Sequence, residues 1–396
     1  MGVLLTVNRI YVVNLSATLF VLSWAVTQPI YPLYVLELGA TTFELGILLS
    51  LSSLLQLVFR IPLTLLGERI GRVRMLLASL LVSSAAAALY ALARSPSHLF
   101  LLVVYQSVAT CSYNQIAMSI ASDMAQTRRQ GDIMGRYLTF LGLGMLLGPA
   151  TCGALVTYLS YSQLFLLSAV FPLVGFVLLA LWPPAAPRAA RGGGGGARPG
   201  ALESLRIIVS DRNVVLLSYC RAAFSTAHAI FAALFAVYAV QQLGMNPSIV
   251  ALLFTLRGLA NTLARFPAGR LSDRIGRRRP MMFAYGAVVL VYVVVASVGG
   301  VAFIAAALVL YGVAWGTRAV SEWAFLADVV RPEVKTISIS YLSSVFGLGS
   351  TLGSALAGAL SMALPMQTIF LLAAALNLPS ILAVAVMGRT ANMPEA

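Results

Sequence analysis

The sequence predicts an all-α membrane protein: 12 transmembrane helices in two pseudo-symmetric six-helix bundles. Three observations carry that prediction. Of 396 residues, 60% are hydrophobic and only 10% are charged, whereas soluble domains are about a quarter charged. The apolar residues fall in about twelve runs, each near the roughly 20 residues that cross a bilayer. The two halves also repeat at a constant offset of 205 residues. So few charges cannot cover a water-soluble particle of this size. That excludes a soluble globular enzyme, a disordered chain and a free nucleic-acid binder.

In chain order, the runs lie at about 10–36, 44–66, 75–93, 98–123, 134–158, 163–182, 213–241, 247–268, 280–298, 301–327, 337–362 and 366–387. They are too long for strands and lack a two-residue alternation, which argues against a β-barrel. No small-residue cleavage site follows the first run, so it reads as a retained span rather than a signal peptide.

Most basic residues sit in the loops after spans 2, 4, 6, 8 and 10, and the termini add Arg9 and Arg389. The loops after odd-numbered spans hold only Arg94. Basic residues stay on the cytoplasmic side. Both termini are therefore expected in the cytoplasm, in a multi-pass protein of the plasma (inner) membrane. The formal net charge of +14 is topological on this reading and implies no nucleic-acid partner. The inner face should attract anionic lipid.

The run PPAAPRAARGGGGGARPG, Pro183 to Gly200, breaks the pattern. Five consecutive glycines with Pro and Arg read as a flexible linker. The expected organisation is a bundle over 1–182, a cytoplasmic linker over 183–212 and a bundle over 213–396. The glycine run is not a phosphate loop, because no GK[ST] follows and the only lysine, Lys335, is preceded by Val334. Cys111, Cys152 and Cys220 lie in apolar runs without CxxC spacing, and His98 and His228 have no acidic neighbours. No disulfide, metal or cofactor is expected.

The repeat is read residue by residue. At the constant offset, Leu38-Gly39 matches Leu243-Gly244, Arg60 and Pro62 match Arg265 and Pro267, and Asp123 matches Asp328. Arg69-Ile70-Gly71-Arg72 matches Arg274-Ile275-Gly276-Arg277, and Gly142, Gly144, Gly148 and Gly153 match Gly347, Gly349, Gly353 and Gly358. Two halves of six spans each have the same orientation in the membrane, which places a substrate site near the midplane between them.

Six plus six spans, a middle linker and an Arg-rich loop repeated after spans 2 and 8 resemble the major facilitator superfamily. The family's loop signature, G-x-x-x-D-R-x-G-R-R-R, is met in the second half by Gly269, Asp273, Arg274, Gly276, Arg277, Arg278 and Arg279. The first copy keeps Arg69, Gly71, Arg72 and Arg74 but has Thr64 and Glu68 in place of Gly and Asp. The resemblance implies that these loops lock one side of the transporter. Arg274 and Arg277 would pair with Asp328, and Arg69 and Arg72 with Asp123. Asp273 could accept from the amides at a helix N-terminus, Gly269 could let span 8 pack closely, and Gly276 could form a tight turn. Arg278 and Arg279 read as exposed topology anchors.

Span 5 carries Gly144-x-x-x-Gly148-Pro149-x-x-Cys152-Gly153. Small residues every four positions pack closely, and Pro149 bends the helix. The run is similar to a signature of the superfamily's drug/proton antiporter branch.

Ionisable residues inside spans are functional candidates. Arg221, Arg257, Arg318 and Glu322 lie deep in the second half, and Arg318 and Glu322 are four apart on one face. Glu322 is the expected proton-coupling carboxylate, and His228 is the other candidate carrier. Arg60 and Arg265 read as snorkelling residues near span ends. By resemblance, spans 1, 4, 7 and 10 line the cavity, so Asn14, Trp24, Gln28, Tyr31, Tyr113 and Asn114 join Arg221, His228, Arg257, Arg318 and Glu322 as candidate substrate contacts.

The expectation is a secondary transporter, monomeric, exporting organic or drug-like molecules in exchange for protons. Its partners are a small-molecule substrate, protons and the lipid bilayer. One alternative carries an anionic metabolite on the core arginines, and another is a non-transporting receptor or scaffold. No catalytic spacing points to an enzyme.

Overall fold

The computed structural model describes residues 2–123, 130–184, 201–330 and 334–388. At some of these, including Glu68 and Asp123, only the backbone is described. Among the described residues every regular element is a helix.

The first expected span is two helices, α1 (Gly2–Thr27) and α2 (Tyr31–Glu37), bent by 48°. Pro29 lies at the break, where it removes a backbone donor and cannot continue the ladder. Then come α3 (Thr42–Ile70), α4 (Arg72–Ala91), α5 (Pro96–Asp123), α6 (Gln130–Leu155) and α7 (Tyr161–Leu181). The short α8 (Ala201–Ser210) precedes α9 (Arg212–Gln241), α10 (Pro247–Ile275), α11 (Arg278–Ser297), α12 (Val301–Val329), α13 (Lys335–Leu360) and α14 (Met366–Val386). Among the described residues ten helices are long and apolar enough to cross a membrane, and the bent pair α1–α2, counted as one span, makes an eleventh. Helix α5 is long enough but diluted by Gln106, Ser107, Asn114 and Gln115.

Local chemistry sets the ends. Thr41 and Glu44 form a reciprocal capping box at α3, and Ser160 with Gln163 forms another at α7. Asp211 accepts from the amides of Asn213 and Val214 and starts α9. Gly71 and Gly276 turn the chain between α3 and α4 and between α10 and α11 at φ 101° and 85°, which a side chain would strain. The linker expected over 183–212 ends in structure: LESLRIIV is rich in helix formers and lies within α8.

The chain forms two compact units. One comprises Met1–Gly194 with Asn246–Thr255, the other Gly195–Met245 with Leu256–Ala396. In the first, α1 packs on α6 and α7, and α4 on α5 and α7. In the second, α9 packs on α13 and α14, and α11 on α12 and α14. The four pairings correspond one to one, so the repeat seen in the sequence is a repeat of packing.

Glycine makes the closest of these contacts. A Cβ on Gly144 would lie 2.7 Å from the Thr18 carbonyl oxygen, and one on Gly148 would overlap Ala25 of α1. Their counterparts behave alike: a Cβ on Gly349 would strike Ser225 and one on Gly353 the Thr226 carbonyl of α9. Thr226 Oγ1 donates to the Gly349 carbonyl at 3.1 Å and Thr18 Oγ1 to the Phe140 carbonyl at 2.9 Å. Pro149 lies inside α6. Gly153 faces the start of α10 within the first unit, where Ser248 Oγ donates to its carbonyl at 2.5 Å.

Candidate functional site

Three helices of the second unit converge on one carboxylate. Glu322 on α12 is 1% exposed, and its Oε2 accepts from Arg221 Nη1 of α9 at 2.9 Å and from Arg318 Nη1 at 2.5 Å. Its Oε1 accepts from the Tyr285 hydroxyl of α11. Arg318 sits one turn before Glu322, so the helical period alone brings them together. Arg221 is 7% and Arg318 2% exposed.

Aromatic faces enclose the guanidinium groups. Arg221 lies 4.3 Å from the Trp323 ring centroid and 5.5 Å from that of Phe346, and Arg318 lies 3.7 Å from that of Phe224. Cation–π contact of this kind supports a charge away from water. Two guanidiniums against one carboxylate leave the cluster with one net positive charge. Arg221 Nε, Arg318 Nε and the buried Ser321 hydroxyl have no hydrogen-bond partner among the described residues. Such groups are costly to bury.

A second group of polar aromatics adjoins the first through Phe224. His228 Nδ1 and the Tyr311 hydroxyl are 2.9 Å apart, and the Tyr311 and Tyr292 hydroxyls are 3.1 Å apart. The Trp315 and His228 rings are perpendicular with centroids 4.2 Å apart, and Phe224 lies nearly parallel to the imidazole. The Arg257 guanidinium is 5.9 Å from the Tyr311 ring centroid. The structure thus brings Arg221, Arg318 and Glu322 into one cluster and His228 and Arg257 into the adjacent one. Tyr285, Tyr292, Tyr311, Trp315, Phe224 and Trp323 are additions that the reading of charged residues passed over. One signal for them was present: Tyr311, Trp315, Arg318 and Glu322 recur at helical spacing on α12.

The first-unit candidates are more dispersed. Tyr113 is fully buried, stacks on Phe20 at 4.0 Å and shares a 2.9 Å hydrogen bond with Ser16. Asn14 is buried, and its Nδ2 has no hydrogen-bond partner among the described residues. Trp24, Gln28 and Tyr31 are partly buried, with Tyr31 edge-on to Tyr90, while Asn114 is exposed.

Of the two ion pairs expected with Asp328 at the turn between α10 and α11, the structure forms that of Arg277. Arg277 bonds Asp273 across the turn, Asp328 Oδ2 at 3.1 Å and Ser272 Oγ at 3.2 Å. Partial burial opposes its charge, but the hydrogen bonds to Asp273 and Asp328 outweigh that and raise its pKa above the usual arginine value. Arg274 does not join this network and lines an apolar groove instead. Asp273 does not cap α11, because Arg277 engages its carboxylate. A Cβ on Gly269 would meet only Val320, at an ordinary 3.6 Å; the close approach of α10 and α12 comes from Gly312 and Gly316, whose Cβ atoms would collide with the α10 backbone. Arg278 is half-buried rather than an exposed anchor, and it donates to the Val384 and Ala385 carbonyls at the end of α14. In the first half, Gly71 makes the matching turn, Arg69 is exposed and Arg72 is partly buried. The Glu68 and Asp123 side chains lie outside the described residues, as do those of Arg9 and Arg389. Arg265 donates to Asn261 at 3.1 Å, and Arg60 is half-buried.

Comparison with known proteins follows this geometry. A family model described as Major Facilitator Superfamily matches residues 13–241 and 217–395. An uncharacterised MFS-type transporter of Methanocaldococcus jannaschii is 24% identical over 144 residues, 36% of each chain. A tetracycline resistance protein, class G, of Vibrio anguillarum is 27% identical over 245 residues, 61% of each chain. The matched stretches thus span about a third and about three-fifths of these curated relatives. Among solved structures, the nucleoside transporter NupG superposes with a TM-score of 0.82 at 14% identity, covering 96% of this chain and 99% of its own. An inward-facing, unoccupied bacterial homologue of the human lysosomal transporter Spinster gives 0.74 at 16%, covering 96% and 94%. At these identities the structures share the fold alone.

Proposed function

The chain belongs to the Major Facilitator Superfamily, and from that premise we propose a secondary transporter that works by alternating access and exports organic or drug-like molecules in exchange for protons. On this reading it sits in the plasma membrane with both termini in the cytoplasm, since the basic loops lie on that side.

The observation that carries the proposal is the buried Glu322 carboxylate shared by Arg221, Arg318 and Tyr285. A proton on Glu322 removes the charge that holds two guanidiniums together. The cluster then carries two positive charges in a dry interior, where like charges repel strongly. Relief comes from parting α9 and α12 or from admitting water. Proton arrival thereby becomes helix movement. Beside it, the half-buried His228 and Trp315, backed by the buried Tyr311, Tyr292 and Phe224, combine flat apolar faces with a few polar atoms, a chemistry suited to amphipathic organic solutes once the helices part. Arg277, with Asp328 on α12 and Asp273 on α10, serves as the lock that alternates. The likeness to a tetracycline resistance protein supports the export direction.

A second reading, transport of an anionic metabolite, is favoured by the positive excess of the cluster. A flux assay in proteoliposomes separates the two. Export requires that a pH gradient drive amphipathic solutes, and that Glu322→Gln abolish this while sparing counterflow. Uptake of a small organic anion, abolished by Arg257→Ala and indifferent to amphipathic cations, would reject the export reading.

A further inference from the structure

Helices α10, α11 and α12 leave a groove of about 1120 Å³ on one side of the second unit. Its walls are apolar: the exposed Leu259, Leu263 and Phe266 from α10, Phe283 from α11 and Val309 from α12, with the half-buried Val313 of α12. Three arginines, Arg270, Arg274 and Arg279, also line it. Arg270 and Arg274 are on the last turns of α10 and Arg279 is on the first turn of α11, so all three sit at the end that carries the Gly276 turn. Neither Asp nor Glu lines the groove.

The five arginines of this loop region divide by chemistry. Arg277 is bound to Asp273 and Asp328, and Arg278 to carbonyls of α14. Arg270, Arg274 and Arg279 are exposed and have no acidic partner among the described residues. Arg270 rests on the Phe266 ring, 4.2 Å from its centroid, at the boundary between charged end and apolar wall.

We infer that this groove holds an anionic phospholipid. The phosphate would lie among Arg270, Arg274 and Arg279, with an acyl chain along Leu263, Leu259 and Phe283. The dimensions agree. From Arg270 back to Leu256, α10 runs about 21 Å at the helical rise, enough to line one leaflet's share of a hydrocarbon core about 30 Å thick. The charge selects the lipid class. A zwitterionic headgroup would bring a cation to three uncompensated cations, whereas an anionic one brings net negative charge, and basic pockets between spanning helices bind anionic headgroups. The site belongs to the second copy of the repeat. In the first, Arg69 and Arg74 match Arg274 and Arg279, but Leu65 stands where Arg270 is.

The test is native mass spectrometry of the detergent-purified full-length protein with phosphatidylglycerol, phosphatidylcholine or glycerol phosphate. The wild type should retain phosphatidylglycerol in preference to phosphatidylcholine and bind glycerol phosphate far more weakly. Arg270→Gln, Arg274→Gln and Arg279→Gln should each weaken phosphatidylglycerol retention about fivefold, the equivalent of about 1 kcal/mol per arginine near a charged surface. Leu263→Trp, which fills the groove and leaves the arginines in place, should weaken it as well. Equal retention of the two phospholipids overturns the proposal, as does retention unchanged in all four variants. Glycerol phosphate binding as tight as the lipid would make this a simple anion site and would also overturn it. No transport is measured, so the outcome is independent of the export reading.

Discussion

Ser16 and Tyr113 share a hydrogen bond 2.9 Å long, and they stand at the positions that, one repeat later, are Arg221 and Arg318. The same junction of two helices is therefore built twice: once as a neutral pair of hydroxyls, once as two arginines around Glu322. Ala117 fills the place of Glu322 in the first copy. The neutral version holds helices together, and the charged version adds a group whose charge can change.

That contrast sets the first expectation. Tyr113→Phe should lower the stability of the first unit by about 1 kcal/mol, the worth of one hydrogen bond, because Ser16 keeps its bond to the Val13 carbonyl. Glu322→Ala should lower that of the second by about 3–5 kcal/mol, since it strands two buried charges. Thermal unfolding in detergent ranks the two variants. A smaller loss for Glu322→Ala would mean that water already reaches the cluster.

Replacing Arg221, Arg318 and Glu322 together by Met should restore most of that loss, because an apolar core is often as stable as a buried charge cluster. Solute flux in liposomes should remain absent. Full transport by this triple variant would make the cluster a packing device without a role in transport.

At the proposed lock, Asp328→Asn should loosen the turn between α10 and α11 more than Asp273→Asn does. Asp328 is about four-fifths buried at its side chain, whereas Asp273 is 66% exposed, and exposed ion pairs contribute little. Arg277→Ala should speed amide hydrogen exchange across that turn by about tenfold, the scale of a charge-assisted bond. Arg277→Lys should not restore the slow rate, because an ammonium lacks the fork that reaches both carboxylates. Equal exchange in Arg277→Ala and the wild type would dismiss the lock.

The glycines give a paired expectation. Gly353→Ala should cost about 1–3 kcal/mol by overpacking, because its Cβ meets the Thr226 carbonyl. Gly269→Ala should be tolerated or stabilising by up to about 1 kcal/mol from helix propensity, since only Val320 is near. Denaturant titration of the two variants decides whether the glycine of the loop signature or that of the repeated helix stripe bears the packing.

Much of this was legible in the chain. Length and apolarity of the runs marked the spans, and the constant offset marked two like bundles. Arg318 and Glu322 could be paired from their spacing because both lie on one helix. Arg221 and Tyr285 could not be assigned to them, because sequence spacing says nothing about which faces of α9, α11 and α12 meet. The same limit added Arg274 to Arg277 as a partner of Asp328, and named Gly269 instead of Gly312 and Gly316 at the α10–α12 crossing. Helix α8 escaped notice because the glycine run before it dominates the composition of that stretch.

The contacts made through Gly148 and Gly353 have a mechanical consequence. Where one backbone rests directly on another, no side chains are left to slide or compress. Helices α1 and α6 therefore form one stiff splint, and α9 and α13 a second. A spectroscopic label on either rod of a splint should report the same displacement at the same moment. On the proposed transport reading, the bending falls elsewhere, at the break beside Pro29 and in the loops.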